Sequence, residues 1–101
     1  NSNVILNKRN KEMREVFHLY QIRVKKRDAL KKFLIKNNVD AKVHYPIPIH
    51  LQKSSKYLGY KRGDFPMAEN ISKKILSLPV HEFVTTKQVK YVTDLINKFY
   101  K

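Results

Sequence analysis

The stretch EVFHLYQIRV, residues 15–24, carries the clearest strand pattern in the chain. The side chains of a strand alternate between its two faces. One face would hold Val16, His18, Tyr20, Ile22 and Val24, and the other Phe17, Leu19, Gln21 and Arg23. Apolar residues occur on both faces near the start, which is typical of a strand covered on both sides. We therefore predict a central strand over residues 15–24, with His18 and Tyr20 packed in the core.

The residues after this strand predict a helix and a second strand. An apolar stripe at spacing i, i+3 and i+4 indicates a helix over residues 27–36. The stripe consists of Leu30, Phe33 and Leu34. The pair Asn37-Asn38 follows, and asparagine tolerates the left-handed conformation that ends many helices. Residues 39–44, VDAKVH, then predict a short returning strand.

The next part of the chain is irregular, with a turn or two of helix expected over residues 51–58. Pro66 suits the first position of a new helix, because its missing N–H would be unpaired there anyway. We expect Asp64 to cap this helix. Its expected buried side is apolar and consists of Met67, Ala68, Ile71 and Ile75. Residues 76–80, LSLPV, predict a short extended segment that Pro79 ends.

A capping box marks the start of the last helix. Thr85 stands three residues before Gln88, so each side chain can bond the other residue's backbone N–H. One face of the helix is apolar and is formed by Val89, Val92, Ile96 and Phe99.

These elements predict an α+β architecture, a small and mainly antiparallel sheet covered on one side by helices. Residues 1–14 are polar and basic, and we expect an arm or interdomain segment that leads into a domain of residues 15–101. The apolar patch Val4-Ile5-Leu6 within this arm would pair as an edge strand or dock onto a missing neighbour.

The composition limits the possible functions. At 101 residues the chain suffices for one domain, with an expected folded surface of about 6,000 Å². It has no cysteine, no apolar run long enough to span a bilayer and no signal peptide, so we expect a cytoplasmic protein without membrane contact. The net charge is +14, but only five of the 22 basic residues are arginine, the residue that suits base recognition. A solvated lysine surface explains this balance, and an independent basic module that binds RNA or an acidic partner is the alternative.

The segment HYPIPIH, residues 44–50, is the most unusual in the chain. A metal site is one explanation, but the two prolines favour an extended path that would separate His44 from His50 by roughly 18 Å. A stiff rim of a binding site is another, because Pro46 and Pro48 restrict the backbone that presents His44 and Tyr45. The simplest alternative for Tyr45 is a ring packed on a proline.

The remaining polar residues form no recognisable active site. The eight acids are scattered without a convincing pair, and two glycines cannot build a phosphate-binding loop. We therefore predict no catalytic residue, no cofactor-binding residue and no metal ligand in this chain.

Several motifs occur together in one order: HLYQIRV (18–24), RDALKKFL (27–34), HYPIPIHLQ (44–52), LGYKRGDFPMAE (58–69) and ISKKILSLPVH (71–81), followed by a closing helix. In this order and spacing, the chain resembles the C-terminal domain of DegT-type nucleotide-sugar aminotransferases over roughly residues 15–100.

The resemblance implies the small domain of a fold-type I enzyme that depends on pyridoxal phosphate and moves an amino group, usually from glutamate, to a nucleotide-linked keto-sugar. Such enzymes are typically homodimers, and their Schiff-base lysine and most of their cofactor pocket belong to a large N-terminal domain. By this resemblance, His44, Tyr45 and, nearby, His50 would bind the nucleotide-sugar. The chain alone would bind no cofactor and would be inactive without that large domain, and nucleic-acid binding would be unlikely.

Overall fold

The computed structural model describes residues 1–101 as three strands, three helices and two short 3-10 helices. The strands are β1 (Val4–Ile5), β2 (Tyr20–Val24) and β3 (Ile75–Leu78). The helices are α1 (Arg27–Lys36), α2 (Pro66–Lys74) and α3 (Thr86–Phe99), and the 3-10 helices are Ile49–Leu51 and Lys53–Leu58. No helix has both the length and the apolar character that a bilayer span requires.

The sheet is antiparallel, and β2 lies in its centre between β1 and β3. Val24 pairs with Val4 on one side, and Ile22 pairs with Leu76 on the other. The predicted α+β class and antiparallel sheet are thus confirmed. The patch at residues 4–6 takes the first of its two predicted roles, an edge strand.

The predicted strand over residues 15–24 is wrong in its first half. The strand begins only at Tyr20, because Phe17 has a φ of 50°, a left-handed conformation that an extended strand cannot contain. Local contacts occupy these residues instead: the guanidinium of Arg9 lies 4.6 Å from the centre of the Phe17 ring, and Arg9 pairs with Glu15 at 3.0 Å. His18 is exposed and not packed, whereas Tyr20 packs partly buried against the core.

The predicted strand over residues 39–44 is also wrong. Only one bridge forms, in which Lys42 and Ser77 exchange backbone hydrogen bonds of 3.0 and 2.8 Å. The backbone before Lys42 is used locally: the N–H of Val39 bonds the carbonyl of Leu34, and Asn38 has a φ of 60° that completes the predicted left-handed helix end.

The core lies between the sheet and helices α1 and α3. Leu30 and Leu34 of α1 are completely buried, as is Leu76 of β3. Phe33 packs partly buried against this core, so the predicted stripe of α1 faces it. The remaining buried apolar residues are Ile22, Val24, Val39, Ala41, Leu95 and Ile96. The capping box is confirmed as well, since Thr85 and Gln88 bond each other's backbone N–H groups at 3.2 and 2.9 Å.

The apolar sides expected for α2 and α3 are only partly buried. On α2, Met67 and Ala68 are exposed, and the buried positions are Glu69 and Ser72. On α3, Val89 is exposed. Amphipathic spacing finds an apolar face, but it does not say which surface of the whole protein covers that face.

The chain exposes far more surface than a compact monomer of its mass. Its accessible surface is 8473 Å², against about 6,000 Å² for a folded monomer of this mass. Its radius of gyration is 15.6 Å, against about 13 Å for a compact domain of this length. Eight large apolar or aromatic residues between positions 45 and 67 are exposed: Tyr45, Ile47, Ile49, Tyr57, Leu58, Tyr60, Phe65 and Met67. A concentration of exposed apolar residues in one part of the chain is typical of an interaction surface.

Candidate functional site

The segment His44–His50, hereafter the proline corner, begins two residues after the bridge between Lys42 and Ser77. The Nδ1 atom of His44 lies 2.8 Å from the hydroxyl oxygen of Ser77, and the amide of Gln21 donates to the same oxygen at 3.4 Å. Gln21 and Ser77 are register partners in the sheet, so the hydroxyl projects from paired strands. His44 is therefore attached to the most regular part of the fold while its ring stays half-buried.

Tyr45 stands at the outer surface of the proline corner and is 73% exposed. Its φ is 59°, a left-handed conformation that costs a residue with a Cβ about 1–2 kcal/mol. The position directly before Pro46 is also one where helical backbone conformations are disfavoured. Local strain of this kind persists where the surroundings impose it, and it is concentrated at functional sites. Any contact between the Tyr45 ring and a neighbouring proline leaves the ring mostly exposed.

His50, unlike Tyr45, is buried. Its Nε2 atom lies 2.9 Å from Oε1 of Glu69, and the two side chains are only 7% and 10% exposed. The backbone N–H of Gly63 donates to the same Oε1 at 2.8 Å. The Gly63 hydrogen bond, together with His50, holds the pKa of the Glu69 carboxyl below its usual value despite desolvation, which acts the other way.

Aromatic rings cover this buried pair on one side. The Phe65 ring lies 4.8 Å from the His50 imidazole, and Tyr60 packs edge-on against Phe65 at 5.0 Å. Asp64 does not cap α2 as predicted: its carboxylate accepts the N–H of Lys61 at 2.8 Å, and Phe65 is the N-cap residue. Asp64 thus closes the turn before α2. The acidic side chain that contacts the proline corner is Glu69.

Sequence reasoning missed Glu69. An acidic residue in the first turn of a helix is explained by the helix dipole alone, so its position gave no reason to select it. Its partner His50 lies 19 residues earlier in the chain, beyond the second 3-10 helix and the turn before α2. Only the tertiary structure brings these two residues together.

The structure separates the three predicted substrate-binding residues. His44 and Tyr45 lie at the surface of the proline corner, and Ile47 and Ile49 beside them are exposed. His50 faces inward. No group of three or more His, Asp or Glu side chains is arranged to hold a metal ion.

A cleft also lies where β2 begins and β3 ends. This cleft of about 860 Å³ is bounded by the N-terminal arm, the start of β2, the segment after β3 and α3. Tyr20 lines it while also packing on the core. Sequence reasoning had no signal for this cleft, because its walls come from segments far apart in the chain.

Comparison with known proteins decides the family. Residues 1–97 match the model of the DegT/DnrJ/EryC1/StrS aminotransferase family. The chain belongs to this family. The match covers nearly the entire chain, the N-terminal arm included, and confirms the resemblance inferred from the ordered motifs.

Three individual proteins are similar to this chain. The chain is 44% identical over 86 residues to a "Pleiotropic regulatory protein" of Geobacillus stearothermophilus. It is 34% identical over 84 residues to dTDP-3-amino-3,6-dideoxy-alpha-D-galactopyranose transaminase of Aneurinibacillus thermoaerophilus. Among solved structures, it superimposes on S. venezuelae DesV in complex with a ketimine intermediate with a TM-score of 0.89 and 28% identity.

The alignments with these three relatives cover most of this chain but only a small part of each relative. The alignments take in 85%, 83% and 96% of this chain, but only 23%, 23% and 26% of the respective relatives. The chain therefore spans about a quarter of the length of the proteins it matches.

Proposed function

We propose that this chain is the C-terminal domain of an aminotransferase that uses pyridoxal phosphate to transfer an amino group, with glutamate as donor, to a nucleotide-linked keto-sugar. The observation that carries the proposal is the proline corner. It presents the exposed Tyr45 and the half-buried His44 from a braced backbone, inside a chain that belongs to a family of aminotransferases. His44 and Tyr45 contact the nucleotide-sugar.

The partner of the proline corner is a large domain of the same enzyme. The exposed apolar residues of segment 45–67 support this, because a self-sufficient domain rarely leaves such a segment in water. The surplus of exposed area over a compact monomer is of the size that large, permanent interfaces bury. A homodimer of the complete enzyme would bury a further part of this exposed surface area.

The cofactor is held outside this chain. A pyridoxal phosphate site needs a lysine in a sheltered pocket and a cradle for the phosphate, yet none of the lysines here is buried and the two glycines lie in exposed turns. The residues present do not fit the cofactor by themselves. The chain contributes a wall of the substrate cleft instead.

The contribution of each site residue follows from its surroundings. The Ser77 hydroxyl fixes the imidazole of His44 through Nδ1, so that Nε2 remains for a hydroxyl or phosphate oxygen of the substrate. The phenol of Tyr45 supplies a further donor and an apolar face for a sugar ring. The net charge of +14 favours the approach of a nucleoside diphosphate. His50 lies near the substrate in this proposal, but its Nε2 atom is already bonded to Glu69.

A comparison of the chain alone with the chain joined to its large domain tests the proposal. Both are supplied with pyridoxal phosphate, glutamate and a panel of dTDP- and UDP-linked 3-keto and 4-keto hexoses. We expect Schiff-base absorbance and transamination only from the joined enzyme. Specific transamination by the chain alone would contradict the proposal, and so would a joined enzyme that aminates no member of the panel.

Two substitutions in the joined enzyme test the proposed contacts. His44→Ala and Tyr45→Phe should raise KM for the keto-sugar by roughly tenfold, the effect of losing a hydrogen bond to a charged or polar substrate. Binding of pyridoxal phosphate should be unchanged, as measured by its absorbance. The matched control is His18→Ala, which alters an exposed histidine outside the proline corner. Unchanged sugar kinetics in both site variants would remove His44 and Tyr45 from the site.

A further inference from the structure

The proline corner is tied at both ends to one continuous piece of backbone. Its first residue, His44, bonds Ser77 on β3, and its last residue, His50, bonds Glu69 on α2. Helix α2 ends at Lys74 and strand β3 begins at Ile75, so no loop separates the two anchors. The proline corner is thus held at both ends, by Ser77 and by Glu69, which belong to one continuous helix–strand unit.

The second anchor has a defined hydrogen-bond pattern. An ionised carboxylate only accepts hydrogen bonds, so the His50 nitrogen that faces Glu69 must carry the hydrogen. Oε1 of Glu69 then accepts two hydrogen bonds, from His50 and from the backbone of Gly63. These contacts fix the orientation of the imidazole and one tautomer, as carboxylates that support a histidine elsewhere do.

Glu69 also determines the path of the turn that precedes α2. Gly63 has a φ of 98°, a conformation that a residue with a Cβ rarely adopts, and its N–H points at the carboxylate. A single side chain of α2 thereby contacts both the turn that directly precedes this helix and the more distant proline corner.

We propose that Glu69 is a positioning residue for substrate binding, which holds His44 and Tyr45 in place through His50 and the proline corner. This inference rests on the proposed function, because it assigns Glu69 a part in presenting the same two residues. The connection is indirect: Glu69 touches His50, and His50 ends the stiff segment whose other end bears the substrate contacts.

The alternative for Glu69 is a residue that only fills space under Phe65. The two roles differ in what a substitution preserves. Glu69→Gln keeps an acceptor oxygen for both donors but removes the charge, whereas Glu69→Met keeps the volume and removes the acceptor. A space-filling role predicts that methionine is tolerated at least as well as glutamine. A positioning role predicts the order glutamate, then glutamine, then methionine.

The experiment uses the complete enzyme, loaded with cofactor, and measures two properties of each variant. The first is hydrogen exchange at the amides of Leu51 and Gln52, whose backbone bonds to Pro48 and Ile49 depend on the geometry of the proline corner. The second is KM and kcat for the keto-sugar, alongside the rate of the half-reaction with glutamate alone. Glu82→Gln is the matched control, since it removes an exposed carboxylate outside the site.

We expect Glu69→Met to speed this exchange and raise the keto-sugar KM, each by roughly tenfold, with a smaller change for Glu69→Gln. The glutamate half-reaction should stay near the parent rate, because it does not need the keto-sugar. His50→Gln, which retains an N–H donor toward Glu69, should resemble Glu69→Gln and serves if the methionine variant does not fold.

Three outcomes overturn the inference. Exchange that matches the parent enzyme in Glu69→Met and His50→Gln would show that the anchor does not hold the proline corner. Faster exchange with an unchanged sugar KM, while His44→Ala still raises that KM, would leave the proposed function intact and remove Glu69 from it. An unchanged sugar KM in His44→Ala, Tyr45→Phe and all Glu69 variants would reject the substrate role of the proline corner altogether.

Discussion

The imidazole of His44 and the hydroxyl of Ser77 lie 2.8 Å apart, although 33 residues separate them in the chain. Ser77 is only 4% exposed and also exchanges backbone hydrogen bonds with Lys42, two residues before His44. The contact thus joins the start of the proline corner to the sheet through both backbone and side chain. It is the point at which the orientation of His44 is determined.

Substitution of Ser77 should therefore affect substrate binding more than folding. Ser77→Ala removes the partner of His44 Nδ1 at a cost of about 1 kcal/mol in the free energy of unfolding. We expect the keto-sugar KM of the complete enzyme to rise severalfold with cofactor absorbance unchanged. Ser54→Ala, at an exposed serine, is the matched control. Equal kinetics for the two variants would contradict a role of Ser77 in orienting His44.

The left-handed backbone of Tyr45 predicts a trade-off between stability and activity. Tyr45→Gly removes the strain of a Cβ at a φ of 59° and should preserve or increase stability relative to Tyr45→Ala, by about 1 kcal/mol. Both variants lack the phenol, so both should bind the keto-sugar weakly. Thermal unfolding of the pair isolates the backbone effect, because the ring itself is mostly exposed. An alanine variant as stable as the glycine variant would indicate that the position carries no strain.

Because the core is small, a cavity in it should strongly reduce the free energy of unfolding. Leu34→Ala should reduce the free energy of unfolding by about 2–5 kcal/mol, since Leu34 is completely buried between α1 and its neighbours. Ile35→Ala, at the next residue, should have a much smaller effect because Ile35 is 51% exposed. Urea unfolding of both variants, followed by circular dichroism, makes the comparison. Similar losses at the two positions would contradict the described core.

The hydrogen bonds of Glu69 predict a contribution to stability that depends on pH. Because the folded state holds the pKa of Glu69 below its ordinary value of 4.5, the ionised carboxylate stabilises the folded state above about that pH. This contribution is lost as the pH falls through the folded-state pKa. The free energy of unfolding of the parent should exceed that of Glu69→Gln at pH 7, and the difference should shrink at acidic pH. A difference that grows on acidification would contradict the assignment.

The basic charge predicts weak binding to nucleic acid with no sequence preference. A lysine-rich surface with a net charge of +14 should bind single-stranded RNA at low salt through counterion release alone. We expect the affinity to fall by more than about a hundredfold between about 50 and 200 mM salt, and to be equal for unrelated sequences. Fluorescence anisotropy titrations measure both properties. Tight, sequence-selective binding at physiological salt would instead favour an independent basic module.

Patterns that depend on neighbouring residues were predictable. The capping box at Thr85 and Gln88, the helix start at Pro66 and the stripe of α1 involve residues within one or two turns of each other, so local rules describe them well. The candidate site was predictable only where a resemblance drew attention to the proline corner. The roles of His44 and Tyr45 stay predictions, and the contact of Glu69 with this segment was not predicted.

The sequence by itself determined the helices, the antiparallel class of the sheet and the family of the chain, because each follows from short-range spacing or from motifs in a fixed order. Tertiary structure decided the rest. It shortened the strand at residues 15–24 through the left-handed Phe17, reduced residues 39–44 to one bridge, and turned Met67 outward while Glu69 turned inward. These outcomes depend on which distant backbone and side-chain groups compete for each hydrogen bond and each apolar surface, and no local pattern contains that information.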